Sequence, residues 1–206
     1  MNVYKFTSWA VGYTQYPWVG EWGPLVEMPF FNDFPPALKE MIKKSWEVNR
    51  SAPGMSIDRG GKEWSDVIGC GGGSPSYFVS ERILKDLADE GIPIFRATEM
   101  PVYKNFSHAL RLLPRPRYYV LEAEPGIQIR MEPVPVDVQL AASREVPPRW
   151  VSPFRVSASL DSWNGSDLFS PSSGLGLTSV YCTDRIKDLS EKRGWTNVSF
   201  DPVELD

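Results

Sequence analysis

Two aspartates, Asp66 and Asp167, stand in matching settings in the sequence, each after a serine and before two apolar residues. Two carboxylates at a fixed separation can act as the acid and base of a glycoside hydrolase. A Ser-Asp pair before an apolar pair is also a common turn or cap, in which the carboxylate accepts local hydrogen bonds. Because the two members of a catalytic pair need different environments, the repeated setting favours the structural role.

The glycine-rich stretch GCGGGSP at 69–75 suggests two other kinds of chemistry. A phosphate loop needs its glycines between a strand and the helix that follows, so that helix N–H groups face the phosphate. Here the glycines precede a predicted strand at Tyr77–Val79. A nucleophilic Cys70 would need a base, and the single histidine, His108, lies far away in the sequence at a predicted helix start or turn. We therefore expect neither a nucleotide site nor a Cys–His dyad.

The N-terminal part, residues 1–60, is unusually aromatic, and its aromatic residues stand among glycines and prolines. Such side chains most often build a core, but they also dominate binding hot spots and sugar-stacking platforms. The spacing does not follow a strict period of two, which favours exposure of some of them. The candidate binding residues are Trp9, Tyr13, Tyr16, Trp18 and Trp22.

The composition limits the classes of function. The chain has 206 residues with a net charge of −4, and no run of Lys or Arg forms the basic stripe that nucleic-acid binding needs. The mildly acidic balance suits a basic protein partner. No apolar stretch is long enough for a membrane span, and the start does not have the pattern of a secretory signal, so we expect a cytoplasmic protein. The two cysteines form no CxxC pair, which predicts no metal and no cofactor, and Cys182 is expected to be a buried thiol at a strand end.

The pattern of elements predicts an α+β protein with a mixed, mainly antiparallel sheet and a few short helices. A strand is predicted at Tyr4–Val11 and a helix over 34–50. Residues 118–123 and 127–131 flank the turn signal Glu-Pro-Gly, which predicts a hairpin. Residues 134–142 are predicted to form a further strand, at a sheet edge because of their prolines.

An internal repeat lies within what we expect to be a single domain over 1–206. The copies, residues 64–102 and 163–204, each contain Ser-Asp and two apolar residues, a glycine loop, a strand, a helix with Lys-Asp-Leu, and a closing Pro-Val. Both helices follow a Ser or Thr that suits an N-cap, and both end at a glycine nine residues after an arginine. The repeat predicts a pseudo-duplicated strand–helix–strand unit.

The second copy resembles the C-terminal part of immunity-type proteins of bacterial polymorphic toxin systems, which end in G-x-D-L-F, a helix, and G-x-x-x-x-x-F-x-P-V. The residues that carry the resemblance are Gly165, Asp167, Leu168, Phe169, Gly194, Phe200, Pro202 and Val203. A weaker form of the pattern falls on Asp66, Gly91, Phe95, Pro101 and Val102. Some relatives bind metal through paired CxxC motifs in the first copy, and this chain lacks those cysteines. The resemblance implies a cytoplasmic protein that binds a toxin domain.

Three hypotheses follow. The first is a non-catalytic immunity-type protein that binds a toxin domain through an aromatic and acidic surface. The second is an enzyme that acts on a small polar or sugar substrate through carboxylates, with the N-terminal tryptophans as a platform. The third is a carbohydrate-binding module without catalysis. The scarcity of catalytic arrangements favours the first.

Overall fold

A computed structural model describes residues 1–8, 18–22, 54–59, 61–70, 77–138, 154–172 and 179–206. The protein is α+β, with many short strands and a few short helices, as the sequence predicts. The strands are β1 (Val3–Ser8), β2 (Trp18–Trp22), β3 (Met55–Arg59), β4 (Val67–Cys70), β5 (Tyr77–Ser80), β6 (Arg96–Glu99), β7 (Val102–Asn105), β8 (Tyr118–Glu122), β9 (Pro125–Pro133), β10 (Phe154–Ser159), β11 (Leu168–Pro171), β12 (Val180–Thr183) and β13 (Val198–Leu205). The helices whose bounds are described are α1 (Glu81–Asp89), α2 (His108–Arg111), a 3-10 turn at Leu160–Ser162, and α3 (Asp184–Arg193).

The strands form two sheets. One is a closed barrel in the order β1-β12-β11-β9-β10-β13, and the other is a seven-stranded sheet in the order β6-β8-β5-β4-β2-β3-β7. Most neighbouring strands in both sheets are antiparallel. The parallel pairs are β10 with β13, β11 with β9, β2 with β4, and β3 with β7. Both sheets are therefore mixed and mainly antiparallel.

The two sheets have the same arrangement of strands. In the hairpin β4–β5, Val67 pairs with Val79, and in the hairpin β11–β12, Leu168 pairs with Cys182. Outside these hairpins, β2 runs parallel to β4 as β9 does to β11, and β3 and β10 are the next strands in each sheet. On the other side, β8 is the neighbour of β5 as β1 is of β12. Each half of the chain thus supplies an equivalent set of strands.

The first strand of each half lies in the sheet of the other half. Strand β1 begins the chain but pairs with β12 and β13, which end it. Strand β8 begins the second half but pairs with β5 and β6 of the first half. The two halves therefore exchange their first strands, as the protomers of a domain-swapped dimer do.

The last strand of each half differs between the copies. Strand β13 runs unbroken and pairs with both β1 and β10, which closes the barrel. Its counterpart is divided into β6 and β7 at Met100 and Pro101. There the Met100 N–H donates to the Tyr118 carbonyl at 2.8 Å, and the Pro101 carbonyl accepts from the Met55 N–H at 2.9 Å. Hydrogen bonds at these two residues link the ends of the seven-stranded sheet.

The buried apolar residues that the structure describes form three clusters, in keeping with this duplication. One lies within the barrel, around Phe169 and Ile127, and one within the seven-stranded sheet, around Phe78 and Ile68. The third contains residues from β1, β5, β12, α1 and α3, and thus joins the two halves. Strand β5 is buried at all four residues, since alternate side chains enter different clusters.

Helices α1 and α3 occupy equivalent places and end as predicted. The chain turns at Gly91 and Gly194 with φ of 68° and 64°, the left-handed region in which glycine carries no steric cost. Ser80 and Thr183 occupy the N-cap positions, as predicted, but their side chains accept no capping hydrogen bond from the helix. Both donate instead to the aspartate that precedes the adjacent strand.

The Lys-Asp-Leu residues of the two helices do not occupy structurally equivalent positions. Counted from Arg82 and Arg185, the buried positions are the same in both helices: Ile83, Asp86 and Leu87 in α1, and Ile186, Leu189 and Ser190 in α3. Asp86 therefore occupies the place of Leu189. The two Lys-Asp-Leu sequences are therefore offset by one residue when the helices are aligned by burial. At the equivalent position, the first copy has the buried carboxylate of Asp86 and the second has the apolar side chain of Leu189.

Two sequence predictions in the middle of the chain are wrong. Strands β8 and β9 form close to the predicted places, but they do not pair with each other as a hairpin. The chain crosses from one sheet to the other between them, because β8 completes the sheet of the first half. Within the predicted strand at 134–142, residues 136–138 are helical. Residues 34–50, where a helix is predicted, lie outside the described residues.

Where the chain passes from the seven-stranded sheet into the barrel, the packing leaves no room for a side chain at Gly126. A Cβ there would lie 2.6 Å from the Phe169 Cβ and 2.9 Å from the Asn164 Oδ1. We expect Gly126→Ala to lower the free energy of unfolding by about 1–3 kcal/mol through overpacking. Urea denaturation measures this, with the exposed Gln128→Ala on the same strand as the control. An equal stability for both variants would contradict the close packing.

Candidate functional site: two duplicated carboxylates and a basic, apolar surface

Asp66 is a buried carboxylate, and all of its described hydrogen-bond partners belong to the scaffold. Its Oδ1 accepts the Ser80 hydroxyl at 3.0 Å. Its Oδ2 accepts the Arg82 guanidinium at 2.9 Å, and the N–H and hydroxyl of Thr196 at 3.0 and 3.1 Å. The Asp66 carboxylate thus connects the start of α1 with the segment after α3.

Asp167 repeats half of this arrangement. Its Oδ1 accepts the Thr183 hydroxyl at 2.7 Å, and its Oδ2 accepts Arg185 at 2.8 Å. The side chain of Asp167 is 22% exposed, compared with 9% for Asp66. Among the described residues the two carboxylates share no hydrogen-bond partner, and each is bound to its own strand–helix junction. This geometry fits the structural role and gives no support to a catalytic carboxylate pair.

The two arginines that bind these aspartates also link the copies in a reciprocal way. The Arg82 guanidinium donates to the Arg193 carbonyl, at the end of α3. The Arg185 guanidinium donates to the Glu90 carbonyl at 2.8 Å, just after the end of α1. Each helix start therefore neutralises the carbonyl end of the other helix, where the helix dipole favours a cation.

A second contact between the halves surrounds Asp86. Its carboxylate accepts the Trp195 indole N–H at 2.8 Å and lies 3.7 Å from the Arg193 guanidinium. Nearby, hydrogen bonds and the charge of Lys192, with a smaller contribution from Arg193, lower the pKa of Glu90. These groups fasten α1 to the end of α3, and all of their described partners belong to the scaffold.

The structure also locates Cys182, His108 and Cys70, the cysteines and the histidine of the chain. Cys182 is a free thiol, fully buried in β12, as predicted, and burial raises its pKa far above the usual range. His108 begins α2 after the capping residue Ser107, and it is exposed. The backbone of Cys70 belongs to β4, whereas the sequence suggested a loop. Its side chain lies outside the described set.

Burial predicts that Cys182 reacts with alkylating reagents only after unfolding. A neutral, enclosed thiol is neither nucleophilic nor accessible. In a Cys70→Ser variant at mildly alkaline pH, we expect iodoacetamide to leave the folded protein unmodified and to label it fully in urea. Mass spectrometry measures both states. Rapid labelling of the folded variant would contradict the burial of this strand.

The aromatic binding candidates fall mainly outside the described residues. Trp9, Tyr13 and Tyr16 lie in the segment 9–17, which the structure does not describe. Trp18 and Trp22 are the first and last residues of strand β2, and only the backbone of this strand is described. Their participation in binding stays a prediction.

A hollow of about 410 Å³ lies beside the Asp66 junction, and the sequence offered no direct signal for it. Its cationic lining residues include Lys85 and Arg117. Arg117 pairs with Glu81 through both carboxylate oxygens, whereas Lys85 forms no ion pair with a described residue. Trp64 contributes the aromatic part of the lining.

Arg117 also ends an exposed run, Arg-Leu-Leu-Pro-Arg-Pro-Arg, at 111–117. Leu112 is 75% exposed and Leu113 is 40% exposed. The Arg111 Nε donates to the Asn105 carbonyl at 2.7 Å, and Arg115 donates to the Val102 carbonyl at 2.8 Å. We call Arg111, Leu112, Leu113, Arg115 and Arg117 the arginine–leucine face. A signal for this face was available in the sequence, because residues 100–121 contain four Lys or Arg and no Asp or Glu.

Two further features, metal sites and membrane-spanning helices, concern the part of the chain that the structure describes. Within it, no group of three or more His, Cys, Asp or Glu residues is arranged to hold a metal ion. No helix among these residues has both the length and the apolar character required to cross a membrane. Comparison of the sequence with protein-family profiles and with curated proteins finds no match.

Proposed function

We propose that this protein is a non-catalytic, immunity-type protein that binds a bacterial toxin domain and neutralises it. The resemblance of residues 165–203 to the C-terminal pattern of such proteins supports the proposal. Binding would block the active site of the toxin or the approach of its substrate, and it would require no reactive group on this chain.

One structural observation supports binding over catalysis. The carboxylates in the best catalytic setting, Asp66 and Asp167, use their oxygens to hold Ser80, Thr183 and two arginines in place. The solvent-facing side chains of the arginine–leucine face are instead apolar and cationic. Exposed apolar residues beside arginine are typical of protein interfaces.

Co-expression tests the proposal. Toxin domains encoded beside this gene would be expressed in bacteria with and without the protein, and a toxin from an unrelated locus would serve as the control. We expect rescue of growth from a neighbouring toxin alone, together with co-purification of the two chains. Growth arrest that the protein does not relieve, with no co-purification, would contradict the proposed function.

A further inference from the structure

We infer that the arginine–leucine face, together with the hollow beside Trp64, is a docking surface for an acidic protein segment that carries apolar side chains. Pro116 and Arg117 belong both to the exposed run and to the lining of the hollow, so the two features are continuous. The inference deepens the proposed function, since it gives the chemistry of the partner: a basic face for an acidic segment, in place of the aromatic and acidic surface expected from the composition. It rests on the proposed function for the partner's identity.

The charge of this face is balanced only in part by described residues, because Arg117 alone of its three arginines pairs with a described carboxylate, Glu81. Residues 100–121 carry four positive charges and no negative one, within a chain whose net charge is −4. Arg111 and Arg115 donate to backbone carbonyls and form no ion pair with a described carboxylate. A guanidinium presents a planar set of donors that fits a carboxylate with two parallel hydrogen bonds. Carboxylates on a partner are therefore the complementary groups.

The apolar part of the face lies between the arginines. Leu112 and Leu113 expose large fractions of their side chains, and a contact that covers them removes apolar area from water. Pro114 and Pro116 fix their own φ angles, so this run loses less backbone freedom on binding than a flexible loop would. The partner segment should thus offer an apolar contact between its acidic groups.

The second copy of the fold shows that the scaffold does not need these cations. Asp184 occupies the place of Glu81, and it accepts from the N–H and the side-chain amide of Asn2 where Glu81 binds Arg117. Asp188 stands where the first copy has Lys85, three residues after the equivalent arginine, and Gly165 stands in the place of Trp64. The cationic, aromatic surroundings of the hollow are therefore specific to one copy, as expected of a binding feature.

A protein segment fits this face better than a nucleic acid or a membrane. The remainder of the chain carries a net charge of −8, which repels an extended polyanion. A phosphate backbone offers no apolar surface for Leu112. Two leucines and three arginines also give too little area and charge to hold a protein stably on a bilayer, which usually needs two strong anchoring signals.

Titration of the full-length protein with defined probes tests the inference. The probes are a short peptide of Asp, Glu and Leu, a matched peptide with Lys in place of the acids, phosphatidylglycerol vesicles and single-stranded DNA. Amide and indole N–H signals are followed by NMR, and fluorescence anisotropy gives affinities. The double variant Leu112→Ser, Arg115→Ser removes one apolar and one cationic group. Arg130→Ser, at an exposed arginine on β9, is the matched control.

The acidic peptide should shift the amide signals of Arg111, Leu112, Leu113 and Arg115 and the indole signal of Trp64. The double variant should weaken binding about tenfold or more, and the control should leave it unchanged. The inference is overturned if the shifts map elsewhere, if the double variant binds as tightly as the control, or if the lysine peptide, vesicles or DNA bind this face more tightly.

The toxin assay separates this inference from the proposed function. If the double variant neutralises a cognate toxin as well as the unaltered protein does, the docking surface is wrong and the immunity function stands. If no neighbouring toxin is neutralised while the acidic peptide binds at Leu112 and Arg115, the immunity function is wrong and the docking surface stands.

Discussion

Replacement of Asp66 by alanine is expected to lower the free energy of unfolding by about 3 kcal/mol. The change removes the acceptor of the buried Ser80 hydroxyl and of two Thr196 donors, and it leaves Arg82 without its ion pair. Loss of one partner from a buried pair usually costs about 3–5 kcal/mol. The lower end applies here because the Arg82 side chain is half exposed and can be hydrated. Urea denaturation followed by circular dichroism measures the loss.

Asp167→Ala is the matched control, because duplication puts Asp167 in the same local setting. We expect a loss of about 1 kcal/mol, since this side chain is more exposed and has two described partners, Thr183 and Arg185. Equal losses for both variants would show that burial and the contacts with Thr196 contribute nothing. If Asp66→Ala kept full stability and lost toxin neutralisation, the structural interpretation of Asp66 would be wrong.

Phe6→Ala is expected to lower the free energy of unfolding by about 3–5 kcal/mol. Phe6 is 1% exposed, and its ring centroid lies 5.2 Å from that of Tyr77 and 5.6 Å from that of Phe200. Although Phe6 belongs to a barrel strand, Tyr77 belongs to the seven-stranded sheet. The cavity would therefore open in the cluster that both halves share. Thermal and urea denaturation measure the loss of stability.

The exchange of first strands predicts which strands lose stability in the Phe6→Ala variant. Because β1 of the first half completes the barrel of the second, we expect Phe6→Ala to reduce hydrogen-exchange protection in β4 and β5 as well as in β12 and β13. Thr7→Ala, at a half-buried position of the same strand, is the control and should cost less than about 1 kcal/mol. Retained protection in β4 and β5 would show that the halves unfold independently.

Local features of the sequence located several elements well. A Ser or Thr, an acid and an arginine before an apolar residue located the starts of α1 and α3, and Gly91 and Gly194 marked the turns that follow them. Strands β5, β8 and β9 lie close to their predicted places. These signals are local, because helix ends and strand-forming runs depend on neighbouring residues and their own backbone angles. The α+β class follows from them.

The same signals failed where a distant partner decides the outcome. The turn signal between β8 and β9 predicted a hairpin, but the two strands pair with distant strands in different sheets. Ser80 suits an N-cap by residue type, yet its hydroxyl donates to Asp66, fourteen residues away in the sequence. The letters Lys-Asp-Leu match between the helices, but burial places Asp86, and not Leu87, at the position of Leu189.

By itself, then, the sequence determined the α+β class, the bounds of the two duplicated helices and the repetition of the Ser-Asp setting. The tertiary structure alone decided that the halves exchange their first strands, that Asp66 and Asp167 hold strand–helix junctions, and that a basic, apolar run faces solvent. The reason is physical. Capping and turn preferences act over a few residues, whereas strand pairing, burial and ion pairing depend on which distant groups meet when the core forms.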